Sequence, residues 1–140
     1  MQGVTVQTMN PISTSAKGET FELFKGLPGQ QITLYHRNKG VSFGNHFHKG
    51  VDQAKDPEYF FLISGQVTAS FYNGLTGERE TLEIGQSDLL TINKNIYHSL
   101  TALTKVTFIE YRSQVFDEKK NDCWPLEEYE AYLETLKKQR

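Results

Sequence analysis

Gly44-Asn-His-Phe-His-Lys49, followed by Glu58-Tyr-Phe-Phe-Leu-Ile-Ser-Gly65, decides how this chain is read. Two histidines sit two apart in an apolar, aromatic setting. In a β-strand successive side chains point to opposite faces, so His46 and His48 would share one face while Phe47 takes the other. That spacing aims two imidazoles at one point. The chain has four histidines, and three of them, His46, His48 and His98, lie in strand-like stretches that can converge.

Working outward from this stretch, turn signals recur at short intervals. Residues 1–19 are polar and turn-rich and read as an arm with a short strand at Val4–Gln7. Strands are expected at Thr20–Lys25, Gln30–Arg37 and Val41–His48, parted by Gly26-Leu-Pro-Gly29 and Asn38-Lys-Gly40. Lys49–Pro57 is polar, holds Gly50, Asp56 and Pro57, and reads as an excursion at the mouth of a barrel. Glu58–Ser64 is apolar on both faces, hence a buried strand. Further strands are expected at Gln66–Tyr72, Glu80–Ile84, Ser87–Ile92, Ile96–Thr101 and Lys105–Arg112, with Asn73-Gly74 and Thr76-Gly77 as hairpin punctuation. Many short, regularly spaced strands predict an all-β barrel or double-sheet jelly roll of about eleven strands.

The last 25 or so residues change character. Asp122 is placed to cap a helix, Pro125 suits its first turn, and Trp124 could staple it. Leu126, Tyr129, Leu133 and Leu136 recur at helical spacing. Glu127, Glu128 and Glu130 lie toward the N-terminus and Lys137, Lys138 and Arg140 toward the C-terminus, complementing the macrodipole. The prediction is an amphipathic helix over about 125–138, packed outside the barrel.

Composition narrows the function classes. At 140 residues, 37% hydrophobic, 23% charged and net charge −2, the chain reads as one soluble globular domain with no footprint for nucleic acid or an acidic membrane surface. No apolar run is long enough to span a bilayer, and the first residues lack a signal-peptide pattern. The single cysteine, Cys123, excludes an intrachain disulfide and suits a reducing compartment. A cytoplasmic protein is the expectation. Cys123 beside Trp124 reads as a packed residue.

A divalent metal needs imidazoles and carboxylates converging at about 2.0–2.2 Å from one point. His46 and His48 supply two nitrogens, Glu58 can supply an oxygen, and His98 comes from a later strand. Read without metal, the same histidines would simply line a polar barrel interior. His36 reads as a strand or rim residue, and the Asn45 amide is placed to orient a neighbouring histidine.

These residues carry a family resemblance. Gly44-x-His46-x-His48, then Glu58 and Gly65, resembles the first cupin motif, and Gly85-Gln-Ser-Asp88 with His98 further on resembles the second. The resemblance covers residues 30–112 and implies a cupin jelly roll, with the barrel at about 20–115 and the whole chain 1–140 as a single cupin domain. It implies a divalent ion (Zn, Ni, Mn or Fe) on His46, His48, Glu58 and His98. The stretch between His48 and Glu58 is longer than the family pattern, and Asn93 and Asn95 stand near the places where the second motif usually carries proline and glycine.

A narrower resemblance lies inside the broad one. Gly44-Asn-His-Phe-His-Lys49 is similar to the Gly-x-His-x-His-Lys stretch of small cupins that act on nucleotide-linked keto-sugars, the 3,4-ketoisomerases. It is also similar to the cupin domain of capsular-polysaccharide epimerases, whose acidic Phe-Asp segment the stretch Glu110–Glu118 resembles. The implied reaction is proton removal alpha to a carbonyl. Lys49 at the rim would meet a phosphate, Arg37 an anionic substrate, and Tyr111 is the strand tyrosine assigned to the pocket wall; Arg112, also at a strand end, is a further anion candidate. Two other classes fit the same residues: an Fe(II)-dependent dioxygenase, and a non-catalytic sensor that only binds a small molecule. The expected assembly is a homodimer through barrel edges.

Overall fold

The computed structural model describes residues 1–139. Stretches rich in β-branched and aromatic residues form β1 (Val4–Thr8), β2 (Ser13–Ser15), β3 (Gly18–Thr20), β4 (Gln31–Arg37), β5 (Ser42–His46), β6 (Glu58–Ser64), β7 (Val67–Asn73), β8 (Glu78–Ile84), β9 (Asp88–Ile92), β10 (Ile96–Ala102) and β11 (Val106–Arg112), followed by the helix α1 (Tyr129–Lys138). Nine strands form two antiparallel sheets, ordered β1-β9-β6-β11-β4 and β5-β10-β7-β8, and β2 pairs with β3 as a separate hairpin. This is the all-β jelly roll with a C-terminal helix that the strand pattern predicts.

The core lies between the sheets. Leu62, Leu90, Ile92 and Phe108 of one sheet meet Ala69, Phe71, Ile84 and Leu100 of the other. Burying each large apolar side chain contributes about 2 kcal/mol. The period of two then carries the inner face from core to site. On β10, Leu100 and His98 point inward in succession; on β11, Phe108, Glu110 and Arg112 do so. One end of the sandwich is therefore apolar and the other holds buried polar groups.

Two expected strands are corrected. Only Thr20 of Thr20–Lys25 pairs, as the end of β3. Phe21 and Phe24 instead fold over the outer face of the five-stranded sheet, Phe21 against Phe61 at 6.3 Å and Phe24 stacked on Tyr111 at 5.0 Å. Covering apolar sheet surface outweighs the local strand preference. The strand expected over Val41–His48 ends at His46. Gly44 and Asn45 adopt positive φ (79° and 55°), and the pairing with β10 shifts there, a bulge that re-aims His46. Phe47 leaves the strand and forms an isolated bridge with Trp124, each backbone N–H donating to the other's carbonyl at 3.0 Å.

The helix also differs in detail from its sequence pattern. Asp122 does not cap it. Its buried carboxylate accepts from the backbone N–H of Lys49 (2.8 Å), Gly50 (2.8 Å) and Asp52 (3.1 Å) and from Trp124 Nε1 (2.8 Å), so it folds the excursion instead. A 3₁₀ turn, Leu126–Glu128, precedes α1 without a side-chain cap, and Leu126 is exposed. Tyr129 and Leu133 are buried against Phe47, Tyr72, Tyr97 and Trp124 on the outer face of the four-stranded sheet. Arg140, expected in the basic end of the helix, lies outside the described residues.

Candidate metal and substrate site

Three imidazoles and one carboxylate meet at the polar end of the sandwich. His46 comes from the end of β5, His48 from the segment beyond it, Glu58 opens β6 and His98 lies in β10. Their ligand-type atoms all lie within 4.8 Å of one another. The ring centroids of His46, His48 and His98 are 4.6, 4.7 and 5.0 Å apart in pairs. His48, Glu58 and His98 are each 1% exposed.

Backbone carbonyls orient two of the rings. His48 Nδ1 is 2.7 Å from the carbonyl of Asp122, and His98 Nδ1 is 3.1 Å from that of Ile96. A carbonyl only accepts, so each Nδ1 carries the proton and each Nε2 faces inward. Both Nε2 atoms lie 3.1 Å from Glu58 Oε1. His48 Nε2 donates to that oxygen. The approach of His98 is out of line, and its Nε2 has no hydrogen-bond partner. In the neutral ring this nitrogen is a buried lone pair beside a carboxylate oxygen, an arrangement that a cation between them would satisfy. A set of imidazole nitrogens and one carboxylate oxygen, with outer nitrogens fixed by carbonyls, fits a divalent transition metal.

The electrostatics follow from burial and mutual charge. Burial, helped by the neighbouring His98 and His48, lowers the His46 pKa to about 3. Burial also works against protonation of His48, but the Glu58 carboxylate outweighs it and holds His48 at about 10. Burial likewise opposes ionisation of Glu58, and His48 and Lys55 overcome it, keeping the carboxyl well below the usual range. Burial, with the Glu58 charge adding to it, raises Glu110 despite Lys55 beside it.

The excursion contributes more than a mouth. It folds into a 3₁₀ turn, Gln53–Lys55, capped by Asp52. This turn sends the Lys55 ammonium inward, 3.1 Å from Glu58 Oε2 and 2.6 Å from Glu110 Oε2. Arg112 is 2% exposed and donates to Asp52 Oδ2 at 2.7 Å, so its guanidinium is committed within the protein rather than free for an anion. The sequence pattern missed Lys55 as a site residue, and nothing in a polar loop marks it. Glu110 was missed as well, although strand alternation marks it: it shares the inner face of β11 with Phe108, two positions away.

All of this opens on a cavity of about 340 Å³, lined at its polar end by His46, Lys55, Glu58, His98 and Glu110 and elsewhere by Tyr35, Phe43, Phe60, Leu100 and Phe108. Arg37 also lines it, its guanidinium 4.8 Å from the Tyr35 ring centroid. Lys49 and Tyr111, expected to touch substrate, do not line the cavity. The Lys49 ammonium sits 3.6 Å from the Trp124 ring centroid on the helix side of the sheet. Tyr111 alternates with Glu110 and Arg112, so it faces the outer side, where it stacks on Phe24. His36 is exposed and hydrogen-bonds Thr107 Oγ1 at 2.9 Å. The Asn45 side chain bonds Ser99 and Ser42 rather than a histidine. Cys123 is exposed at the cavity edge, not packed, and Phe116, half-exposed, lines the same edge.

Comparison with known proteins agrees on architecture. No protein-family profile matches the chain, and no curated protein matches it by sequence. Solved structures do match. The 3,4-ketoisomerase QdtA of Thermoanaerobacterium thermosaccharolyticum, solved with TDP-4-keto-6-deoxyglucose, aligns at a TM-score of 0.72 and 15% identity over 99% of this chain and 96% of its own. The TDP-quinovose 3,4-ketoisomerase WlaRB of Campylobacter jejuni aligns at 0.72 and 15% over 92% and 98%. The RmlC epimerase of Mycobacterium tuberculosis aligns at 0.66 and 17% over 84% and 66%. At such identities the likeness establishes the fold, a cupin-type jelly roll. Among the described residues, no helix is long and apolar enough to cross a membrane.

Proposed function

We propose that this chain is a metal-binding cupin that isomerises or epimerises a nucleotide-linked keto-sugar in polysaccharide biosynthesis. The observation that carries the reading is the donor set His46, His48, Glu58 and His98, of which His46, Glu58 and His98 line the polar end of a cavity of about 340 Å³, within the size range of small-molecule sites. The substrates of the fold neighbours, QdtA and WlaRB, support the choice of sugar chemistry over oxygenase chemistry.

A divalent ion (Zn, Ni, Mn or Fe) bound there would polarise a substrate carbonyl and stabilise the enolate formed when an adjacent carbon loses its proton. The protein's own groups do the rest. Glu58 offers Oε1 to the centre while Lys55 holds Oε2. Arg37 offers a guanidinium to a phosphate of the nucleotide portion. Phe43, Phe60, Leu100 and Phe108 exclude water around the sugar ring.

A cytoplasmic homodimer belongs to the same proposal. The lone cysteine suits a reducing compartment, and Ile32, Leu34 and Ile63, exposed on the outer face of the five-stranded sheet, suit a self-interface. Light scattering tests the dimer.

Metal analysis of protein purified without chelator, wild type against His46→Ala, tests the centre. Near-stoichiometric metal in the wild type and little in the variant is expected; none in either sinks the metal assignment. Deuterium exchange from D₂O into nucleotide-linked 4-keto-sugars tests the reaction, and no exchange across a panel sinks it. Fe(II) with substrate-dependent oxygen uptake would favour the dioxygenase instead.

A further inference from the structure

Four carboxylates line the cavity: Asp52, Glu58, Glu110 and Asp122. Three have fixed duties. Asp52 binds Arg112 at 2.7 Å and caps Ala54 N at 3.0 Å. Asp122 accepts from three backbone N–H groups and an indole. Glu58 faces two imidazoles.

Glu110 caps no backbone N–H and faces no imidazole; its partners are the side chains of Lys55 and Tyr35. It is 1% exposed and sits on the inner face of β11, where the strand pairing would be served equally by an apolar residue. A buried carboxylate costs several kcal/mol of desolvation unless it is matched. Here the match is supplied from another segment: Lys55 reaches in from the excursion to lie 2.6 Å from Oε2. Tyr35 Oη donates to Oε1 at 3.3 Å. Lys55 also contacts Glu58 Oε2 at 3.1 Å, so Glu110 is held beside the proposed metal-ligand carboxylate and both line one cavity.

We propose that Glu110 is the carboxylate that takes a proton from the carbon next to the substrate carbonyl and returns it, with Lys55 as the positioning residue that holds it beside Glu58. The proposal rests on the keto-sugar reading above. In the forward step the carbon–hydrogen bond breaks and its proton forms an O–H bond with Glu110. The electron pair forms a carbon–carbon double bond, and the carbonyl π pair moves to oxygen. A proton then passes from the hydroxyl on the deprotonated carbon to that oxygen. Glu110 delivers its proton to the former carbonyl carbon, and a new carbonyl stands one position along. Atoms balance, nothing is oxidised or reduced overall, and no co-reactant is needed. Burial lifts the Glu110 carboxyl in the direction that suits a base that must also release its proton.

TDP-4-keto-6-deoxyglucose in D₂O, followed by NMR, tests the assignment, with metal content measured on the same samples. Wild type should incorporate deuterium, and Glu110→Gln should do so at least about 100-fold more slowly with unchanged metal content. Lys55→Met should lower kcat with KM within about threefold, and Lys55→Arg should restore most of the rate, which a merely structural lysine would not require. Exchange by Glu110→Gln within about threefold of wild type overturns the proposal while leaving the keto-sugar reading intact. Absence of exchange by the wild type across a panel of nucleotide-linked 4-keto-sugars overturns both. Should Glu110→Gln fail to fold, Glu110→Asp decides: a slowed but metal-replete enzyme supports the assignment, and a wild-type rate overturns it.

Discussion

His98 Nε2 lies 3.1 Å from Glu58 Oε1 and makes no hydrogen bond to it. Both atoms are buried, and the other ring nitrogen is already spent on the Ile96 carbonyl. A divalent ion would give both atoms a shared partner. Adding Zn or Ni to chelated protein should therefore raise Tm, by an amount equivalent to about 2.7 kcal/mol at a hundredfold excess over Kd. His98→Ala should bind at least tenfold more weakly, about 1.4 kcal/mol. Calorimetry on both proteins checks this, and equal affinities would remove His98 from the donor set.

The two perturbed histidines predict opposite pH dependences for the metal-free protein. His48, raised to about 10, adds stability that is fully present below its unfolded value of about 6.5 and is lost as pH rises toward 10. His46, lowered to about 3, stays neutral in the fold while the unfolded chain takes up a proton below about 6.5. Its contribution is lost as pH falls from 6.5 toward 3. Urea midpoints with chelator present should peak near pH 6.5 on this account. At pH 7 to 8, metal binding should displace the His48 proton; calorimetry in buffers of different ionisation enthalpy should find about one proton released, and none released contradicts the His48 assignment.

Asp122 anchors the excursion that carries Lys55. Three backbone N–H groups and the Trp124 indole converge on its carboxylate. Asp122→Ala strands those donors, at about 1–3 kcal/mol for each one left buried and unpaired. A loss of at least about 3 kcal/mol is expected by urea denaturation, together with faster amide exchange in residues 49–57. A change below about 1 kcal/mol would mean that other contacts hold the loop.

Gly74 receives the helix. A Cβ there would stand 2.2 Å from Leu133 Cδ1 and 3.2 Å from Tyr129 Cε2. Gly74→Ala should cost about 1–3 kcal/mol by overpacking. Leu133→Ala alone should cost about 2–5 kcal/mol through its cavity. The double variant should be more stable than the sum of the two losses, because the smaller residue admits the new methyl. Strict additivity in a double-mutant cycle would show that α1 docks on Gly74 more loosely than these distances indicate.

Much of the frame was legible because period-two patterning and turn residues are local signals. Glu58–Ser64 is bounded as its composition predicts, Ile96–Ala102 and Val106–Arg112 depart from expectation by a residue at one end, and Val67–Asn73 is shifted by one residue at both. His46 and His48 do come together, but not by strand alternation: a bulge at Gly44 and Asn45 and the Phe47–Trp124 bridge place the rings 4.6 Å apart. Lys49 was misread because its neighbours in sequence belong to the site, whereas its ammonium is drawn to the Trp124 face on the other side of the sheet.

The sequence by itself determined the β architecture, the C-terminal helix and the histidine-rich strand, since each follows from the residue types within a few positions. Only the tertiary structure decided which charges meet. Lys55 and Glu110 are 55 residues apart and share a contact of 2.6 Å. Asp122 closes a loop more than 70 residues upstream. Pairings of that range arise where two sheets and a folded loop enclose one low-dielectric space, in which an unmatched charge is too costly to leave alone.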